Sequence, residues 1–142
     1  MTAEEPLQGC WLLHAYELQQ SDGSVVHPMG EQPEGLLFYS PGGHMSVHLM
    51  QPGAKPPAPE QLPPGLSADL AVSYACYSSY FGRYTVDSKQ AIITHHLRGA
   101  SVLGWAGSEF PRHYQLEGER LTLSAAVNEQ GSCAVLVWQR EK

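Results

Sequence analysis

The sequence has few charged residues, no long apolar run and no basic stripe, and each shortage excludes a class of protein. Only 15% of its 142 residues are charged while 42% are hydrophobic, so the chain is expected to fold around a core. No apolar run approaches the ~20 residues that span a bilayer. No membrane partner is therefore expected. Because the net charge is -6 and no basic stripe is present, a nucleic acid is not expected as a partner either.

Cysteine is also scarce. Cys10, Cys76 and Cys133 stand far apart and form no C-x-x-C pair, which argues against a zinc knuckle or a redox pair. Cys10 and Cys133 lie in strand-like runs and are expected to be buried thiols. The first residues are acidic and lack the basic and apolar parts of a secretory signal, so we expect a cytoplasmic protein.

Seven histidines would suggest a metal site, but their spacing argues against one. His44 and His48 would lie about 13 Å apart along a strand. His95 and His96 are adjacent and would point to opposite faces of a sheet. The sequence also has no His-x-His pair, no G-x-S-x-G motif and no glycine loop leading into a helix. We therefore expect no metal, no cofactor and no activated nucleophile.

The sequence does contain short aromatic and β-branched runs separated by tight turns. The clearest is a hairpin over 35–49, in which Ser40-Pro41-Gly42-Gly43 separates two strand-like runs and the glycines allow positive φ. Further strands are predicted at 9–18, 25–27, 80–86, 91–97, 112–117, 120–125 and 132–139. Such a series predicts an all-β antiparallel barrel or sandwich of about eight to ten strands. A closed barrel is favoured because it leaves no exposed edge.

The stretch 51–66 interrupts this series. It holds prolines at positions 52, 56, 57, 59, 63 and 64, so a stiff surface excursion is expected there. Apolar residues then recur at three- and four-residue steps, which predicts one short inserted helix over about 66–79. The length is that of one domain, so the whole chain, 1–142, is predicted to form a single barrel.

Several short motifs follow one another along the chain. They are Gly9-x-Trp11, Gly35-Leu-Leu-Phe-Tyr-Ser-Pro-x-Gly43, Tyr80-x-Gly82-x-Tyr84, His95-His96, Arg112-x-Tyr114-x-Leu116-x-Gly118 and Trp138-x-Arg140. In this order and spacing they resemble the lipocalin-like domain family of short bacterial and fungal proteins. The resemblance implies a calycin-type barrel with an internal cavity, in which Arg140 packs over Trp11 at the closed end. Some relatives look like accessory enzymes of secondary metabolism, so the fold does not decide the chemistry.

Alternation along the strands indicates which side chains face the interior. The inward candidates for catalysis are His95, Tyr84 and Arg112. The candidates for ligand binding are Tyr39, Met45, Tyr80, Tyr114 and, from the loop 99–107, Trp105. No acidic residue is placed inside with Arg112, so a ligand oxygen could be its partner, although core carbonyls could serve instead. For His95 and the tyrosines, an ordinary core role is an equal or stronger alternative.

Three functions fit these features. The first is a barrel that binds a small apolar or aromatic ligand anchored by Arg112. The alternative is a cofactor-independent cyclase or isomerase of secondary metabolism that acts in the same cavity by shaping its substrate and by acid/base or hydrogen-bond catalysis. The third is a structural protein with a filled interior. Exposed strand faces that carry Phe38 or Phe81 would suit a homodimer.

Overall fold

The computed structural model describes residues 2–53, 58, 60 and 76–141. Its elements are a 3₁₀ turn Glu5–Leu7, β1 Gly9–Gln19, β2 Val25–Val26, β3 Glu34–Tyr39, β4 His44–Met50, β5 Tyr77–Asp87, β6 Ile92–Ala100, a 3₁₀ turn Leu103–Trp105, β7 Glu109–Glu117, β8 Arg120–Ser124 and β9 Cys133–Arg140.

The strands form one antiparallel sheet that closes on itself. Neighbours follow the order β2-β1-β3-β4-β5-β6-β7-β8-β9, and β1 also pairs with β9. Strands β1 and β3 to β9 therefore make an eight-stranded barrel, while β2 pairs only with the end of β1, at Leu18 and Gln19. The prediction of an all-β antiparallel barrel is confirmed. Closure leaves few unpaired strand edges, which is the physical advantage of this arrangement.

The predicted central hairpin is formed by β3 and β4. Tyr39 and Met45 are paired across the turn, and the amide of Gly43 donates to the carbonyl oxygen of Ser40 at 3.2 Å. Gly43 has φ of 88°, a left-handed value that glycine adopts without strain. The turn residues thus produce the hairpin for the reason that the sequence suggested.

Most of the predicted helix over 66–79 lies outside the described residues. Its last three positions, 77–79, belong to β5, which corrects that part of the prediction. They pair with β4, Tyr77 opposite Met50 and Ser79 opposite His48, so pairing between strands overrides the helical spacing there. Within the part of the chain that the structure covers, no helix is long and apolar enough to cross a membrane.

The closed end of the barrel is sealed by Trp11 and Arg140, as the resemblance implied. Trp11 is fully buried and its Nε1 donates to the carbonyl oxygen of Leu7 at 3.0 Å. The Arg140 guanidinium donates to two more carbonyl oxygens of the same segment, those of Gln8 at 2.7 Å and Pro6 at 2.6 Å. One arginine therefore fixes the lead-in segment against the end of β9, and this prediction is confirmed.

Candidate ligand-binding cavity

The barrel contains a partly open cavity of about 280 Å³. Much of its wall is aliphatic, with Leu37, Val47, Leu49, Leu123 and Leu136 among the lining residues. Polar groups reach it from Tyr16, Tyr80, His95 and Arg112. Apolar walls with a few orienting polar groups are typical of a small-molecule site, and the volume lies near the small end of the usual range of roughly 300–1,000 Å³.

Three adjacent strands place the polar groups side by side. Tyr80 lies on β5, His95 on β6 and Arg112 on β7. In the register, His95 is opposite Phe110 and Ile93 is opposite Arg112. Phe110 and Arg112 are two residues apart on β7, so their side chains lie on the same face of the strand. The alternation of these three strands thus directs one cation, one imidazole and one phenol towards the cavity.

The Arg112 side chain lies against an aromatic wall. Its Cζ is 5.0 Å from the ring centroid of Phe110, and Nη1 donates to the carbonyl oxygen of Pro111 at 3.0 Å. The Phe110 ring meets those of Tyr80 and Trp105 edge-on, each at 5.6 Å between centroids. Among the described residues, no Asp or Glu forms an ion pair with Arg112. The guanidinium therefore keeps donors available for another acceptor.

His95 is 2% exposed and is held between two phenols. Its Nε2 lies 2.6 Å from the Tyr39 Oη and its Nδ1 lies 2.7 Å from the Tyr80 Oη. Burial, assisted by the positive charge of Arg112, lowers the pKa of His95 to about 3. Burial also raises the pKa of Tyr80 to about 12 and that of Tyr39 well above its usual value. All three groups are therefore neutral near pH 7.

The structure brings only some of the predicted site residues to the cavity. Tyr80, His95, Trp105 and Arg112 line it. Tyr39, which is fully buried, contacts the far side of His95.

The remaining candidates lie deeper or elsewhere. The Tyr84 hydroxyl donates to the carbonyl oxygen of Ser40 at 2.7 Å, and its ring packs on Tyr39 with centroids 4.6 Å apart. Met45 and the half-buried Tyr114 pack in or against the hydrophobic core. None of these three is among the cavity-lining residues. Alternation identified the inward face of each strand, but it gives no information on depth along the barrel axis.

Tyr16 and Phe110 are among the cavity-lining residues that were not identified as site candidates from the sequence. On β1 the alternation that puts Trp11 and Leu13 inside is broken by an irregularity between Leu13 and Ala15, and this shift moves Tyr16 to the lining. Phe110 was missed because β7 was predicted to start at residue 112, whereas it starts at Glu109. The pattern Phe110-x-Arg112 was the available signal.

One further lining residue carries an unpaired donor. Trp138 lines the cavity, and its buried Nε1 has no hydrogen-bond partner among the described residues. In the same residues, no group of three His, Cys, Asp or Glu side chains could hold a metal ion. The three cysteines are free thiols, and Cys10 and Cys133 are only partly buried, which corrects the expectation that they are buried.

Comparison with protein-family models supports the same architecture. A lipocalin-like domain family model matches residues 8–141. No curated protein matches the sequence. Among solved structures, a de novo designed fluorescence-activating β-barrel is 13% identical, with 99% of this chain and 100% of that chain covered and a TM-score of 0.48. Wild-type fluorescent protein UnaG is 12% identical, with 97% and 99% covered and a TM-score of 0.44. Since the family model matches nearly its whole length, this chain belongs to the lipocalin-like domain family.

Proposed function

We propose that the protein binds a small, largely apolar or aromatic molecule in the cavity and holds an oxygen of that molecule on Arg112. The observation that supports this most is a cavity-lining guanidinium with no carboxylate partner among the described residues. A partly buried cation without a counter-charge loses hydration that it does not regain. A ligand carboxylate, phenolate or carbonyl oxygen would restore that interaction through charge-assisted hydrogen bonds.

The cavity walls favour a compact ligand. Aliphatic side chains from β3, β4, β8 and β9 line the cavity together with rings from β5 and β7. Flat apolar surface buried between them contributes about 25 cal/mol per Å². The volume of about 280 Å³ favours one or two fused rings over a long acyl chain.

A cofactor-independent cyclisation or isomerisation in the same cavity is the second proposal. It is supported by the chain of hydrogen bonds from Tyr39 through His95 to Tyr80, which ends at the cavity wall. Such reactions proceed through enolate-like states that hydrogen-bond donors stabilise without covalent chemistry. Because His95 is neutral and bonded at both ring nitrogens, stabilisation of charge is favoured over proton abstraction by this residue.

The binding proposal is tested by filling the cavity. Ala134 lines it from β9, so Ala134→Phe would occupy ligand space. Ala126 lies in an exposed loop, so Ala126→Phe adds the same ring outside and is the matched control. Titration of 2-naphthoate by calorimetry should show one site in the parent protein and in Ala126→Phe, with affinity reduced at least tenfold in Ala134→Phe.

Two results would contradict the proposal that the ligand binds in the cavity. No binding of 2-naphthoate or of neutral naphthalenes to the parent protein would contradict the proposal. Equal binding by the parent and a folded Ala134→Phe variant would place the ligand on the surface instead.

Assembly and location are also proposals. Phe38 and Phe81 are 38% and 53% exposed on the outer face of the barrel, each paired with Ser46 of the strand between them. This surface supports the proposal of a homodimer, which sedimentation of the parent and Phe81→Lys would test. Three free thiols suit the reducing cytoplasm, and the net charge of -6 opposes nucleic-acid binding.

A further inference from the structure

The number of protons around His95 limits its hydrogen bonds. A neutral imidazole has one N–H donor and one acceptor nitrogen. Both nitrogens are bonded to phenol oxygens, Nε2 to Tyr39 and Nδ1 to Tyr80. One tyrosine must therefore donate to the ring, while the other accepts from it and keeps its own proton for another partner.

Burial decides which tyrosine donates to the ring. Tyr39 is fully buried and does not line the cavity, and His95 is the only hydrogen-bond partner of its hydroxyl in the described residues. If Tyr39 accepted from Nε2–H, its own proton would remain unpaired in the core, which disfavours that tautomer by a factor of about ten. Tyr39 therefore donates to Nε2, and Nδ1–H donates to the Tyr80 oxygen.

We propose that the Tyr80 hydroxyl, oriented by His95 and Tyr39, donates a second hydrogen bond beside Arg112, and that the cavity selects acidic phenols or enols and binds them as anions. This proposal rests on the proposed function of the cavity. Tyr80 lines the cavity, and both Tyr80 and Arg112 contact the ring of Phe110. His95 and Tyr39 are positioning residues in this arrangement.

The charges around the site favour an anion. Among the described residues, the titratable groups that line the cavity are Tyr16, Tyr77, Tyr80 and His95, together with the cationic Arg112. No described Asp or Glu lines it. Burial outweighs the positive charge of Arg112 and raises the pKa of Tyr16, Tyr39 and Tyr80, none of which has a described hydrogen bond to Arg112. A ligand oxygen held directly by Arg112 and Tyr80 would instead accept charge-assisted hydrogen bonds, which favour its anionic form and should lower its pKa.

The hydrogen-bond chain does not favour transfer of a proton to the ligand. If Tyr80 gave up its proton, the chain could replace it only by passing protons from His95 and then from Tyr39. That would leave a tyrosinate at Tyr39, where burial raises the pKa well above its usual value. The anion is therefore stabilised by donated hydrogen bonds and keeps its negative charge.

The tautomer of His95 is measured directly by NMR of the protein labelled with ¹⁵N-histidine. The expected result is a protonated Nδ1 and an unprotonated Nε2 on the neutral His95 ring. A protonated Nε2 would overturn the proposal, because Tyr80 would then use its proton on the ring. This measurement needs no ligand, so its result does not depend on whether any probe binds.

The binding of an anion is measured with 4-nitrophenol, whose absorbance distinguishes phenol from phenolate, and with 4-nitroanisole, which cannot ionise. The pKa of bound 4-nitrophenol should fall by about one unit or more relative to the free probe. Tyr80→Phe should weaken phenolate binding about tenfold and reduce the pKa shift, with 4-nitroanisole binding unchanged. Tyr39→Phe, which frees His95 to change tautomer, should reduce the shift less.

The matched control is Tyr84→Phe, which removes a hydroxyl bonded to Ser40 outside the cavity lining. It should leave both probes unaffected. Binding of both probes without any pKa shift would overturn the anion-binding inference and leave the proposed function intact. Failure of both probes and of the naphthalenes to bind would count against the proposed function. The His95 tautomer would still show whether the Tyr80 hydroxyl proton is available for a second hydrogen bond.

Discussion

The guanidinium of Arg140 lies over the indole of Trp11, with Cζ 4.2 Å from the ring centroid. The same guanidinium bonds two carbonyl oxygens of the lead-in segment and pairs with Glu119 at 3.3 Å. Trp11 and Arg140 are also directly paired in the register of β1 and β9. This contact therefore joins the first and last barrel strands at the closed end of the barrel.

The first prediction concerns the stability of this closed end. Trp11→Ala should lower the free energy of unfolding by about 3–5 kcal/mol, since it removes a fully buried indole. Arg140→Lys should also destabilise the protein, because an ammonium cannot make the planar stack and both carbonyl contacts. Chemical denaturation measures both effects, with Arg120→Lys on the exposed face of β8 as the control. A loss below about 1 kcal/mol for Trp11→Ala would show that the indole is not part of the core.

The second prediction concerns a close approach between β5 and β6. A Cβ built on Gly82 would overlap the carbonyl oxygen of His96, beside the register shift at Phe81 and Gly82. Gly82→Ala should therefore destabilise the barrel by about 3 kcal/mol or more. Gly104→Ala is the control, because no other described residue beyond its two chain neighbours has a heavy atom within 4 Å of its Cβ position. If thermal unfolding shows the two variants to be equally stable, the strands do not approach as described.

The third prediction concerns the pH dependence of stability. The pKa of His95 is lowered from 6.5 to about 3 in the folded state, so the unfolded chain binds more protons between these values. Its contribution to stability is complete above pH 6.5 and decreases as the pH falls towards 3, by up to ~1.4 kcal/mol per unit.

His95→Gln removes this titration while keeping a donor and an acceptor. The free energy of unfolding of this variant should depend less on pH between 6.5 and 3 than that of the parent protein. His113→Gln, at an exposed position on β7, should keep the parent slope. If the free energy of unfolding depends equally on pH in the parent and in His95→Gln, the pKa of His95 is not lowered in the folded state.

Much of the barrel could be predicted from the sequence because local signals and the fold agree. The turn Ser40-Pro41-Gly42-Gly43 and the alternation around Arg112 and His95 are read from neighbouring residues, and both are found in the structure. The site itself could not be derived in full. The shift in β1 that brings Tyr16 inside depends on pairing with β9, and the bonds of His95 to Tyr39 and Tyr80 join residues far apart in sequence.

The central claim is that Arg112 anchors a ligand oxygen. A thermodynamic cycle that compares the binding free energies of two ligands to two protein variants tests it most directly. Calorimetry would compare 2-naphthoate with 2-methylnaphthalene, which lacks the oxygens, in the parent protein and in Arg112→Met. Arg112→Met keeps most of the side-chain length and removes the charge, and Arg120→Met is the control on exposed β8. We expect a coupling free energy of about 1.5–3 kcal/mol between Arg112 and the carboxylate, and about zero between Arg120 and the carboxylate. A coupling near zero in a folded Arg112→Met protein would contradict it.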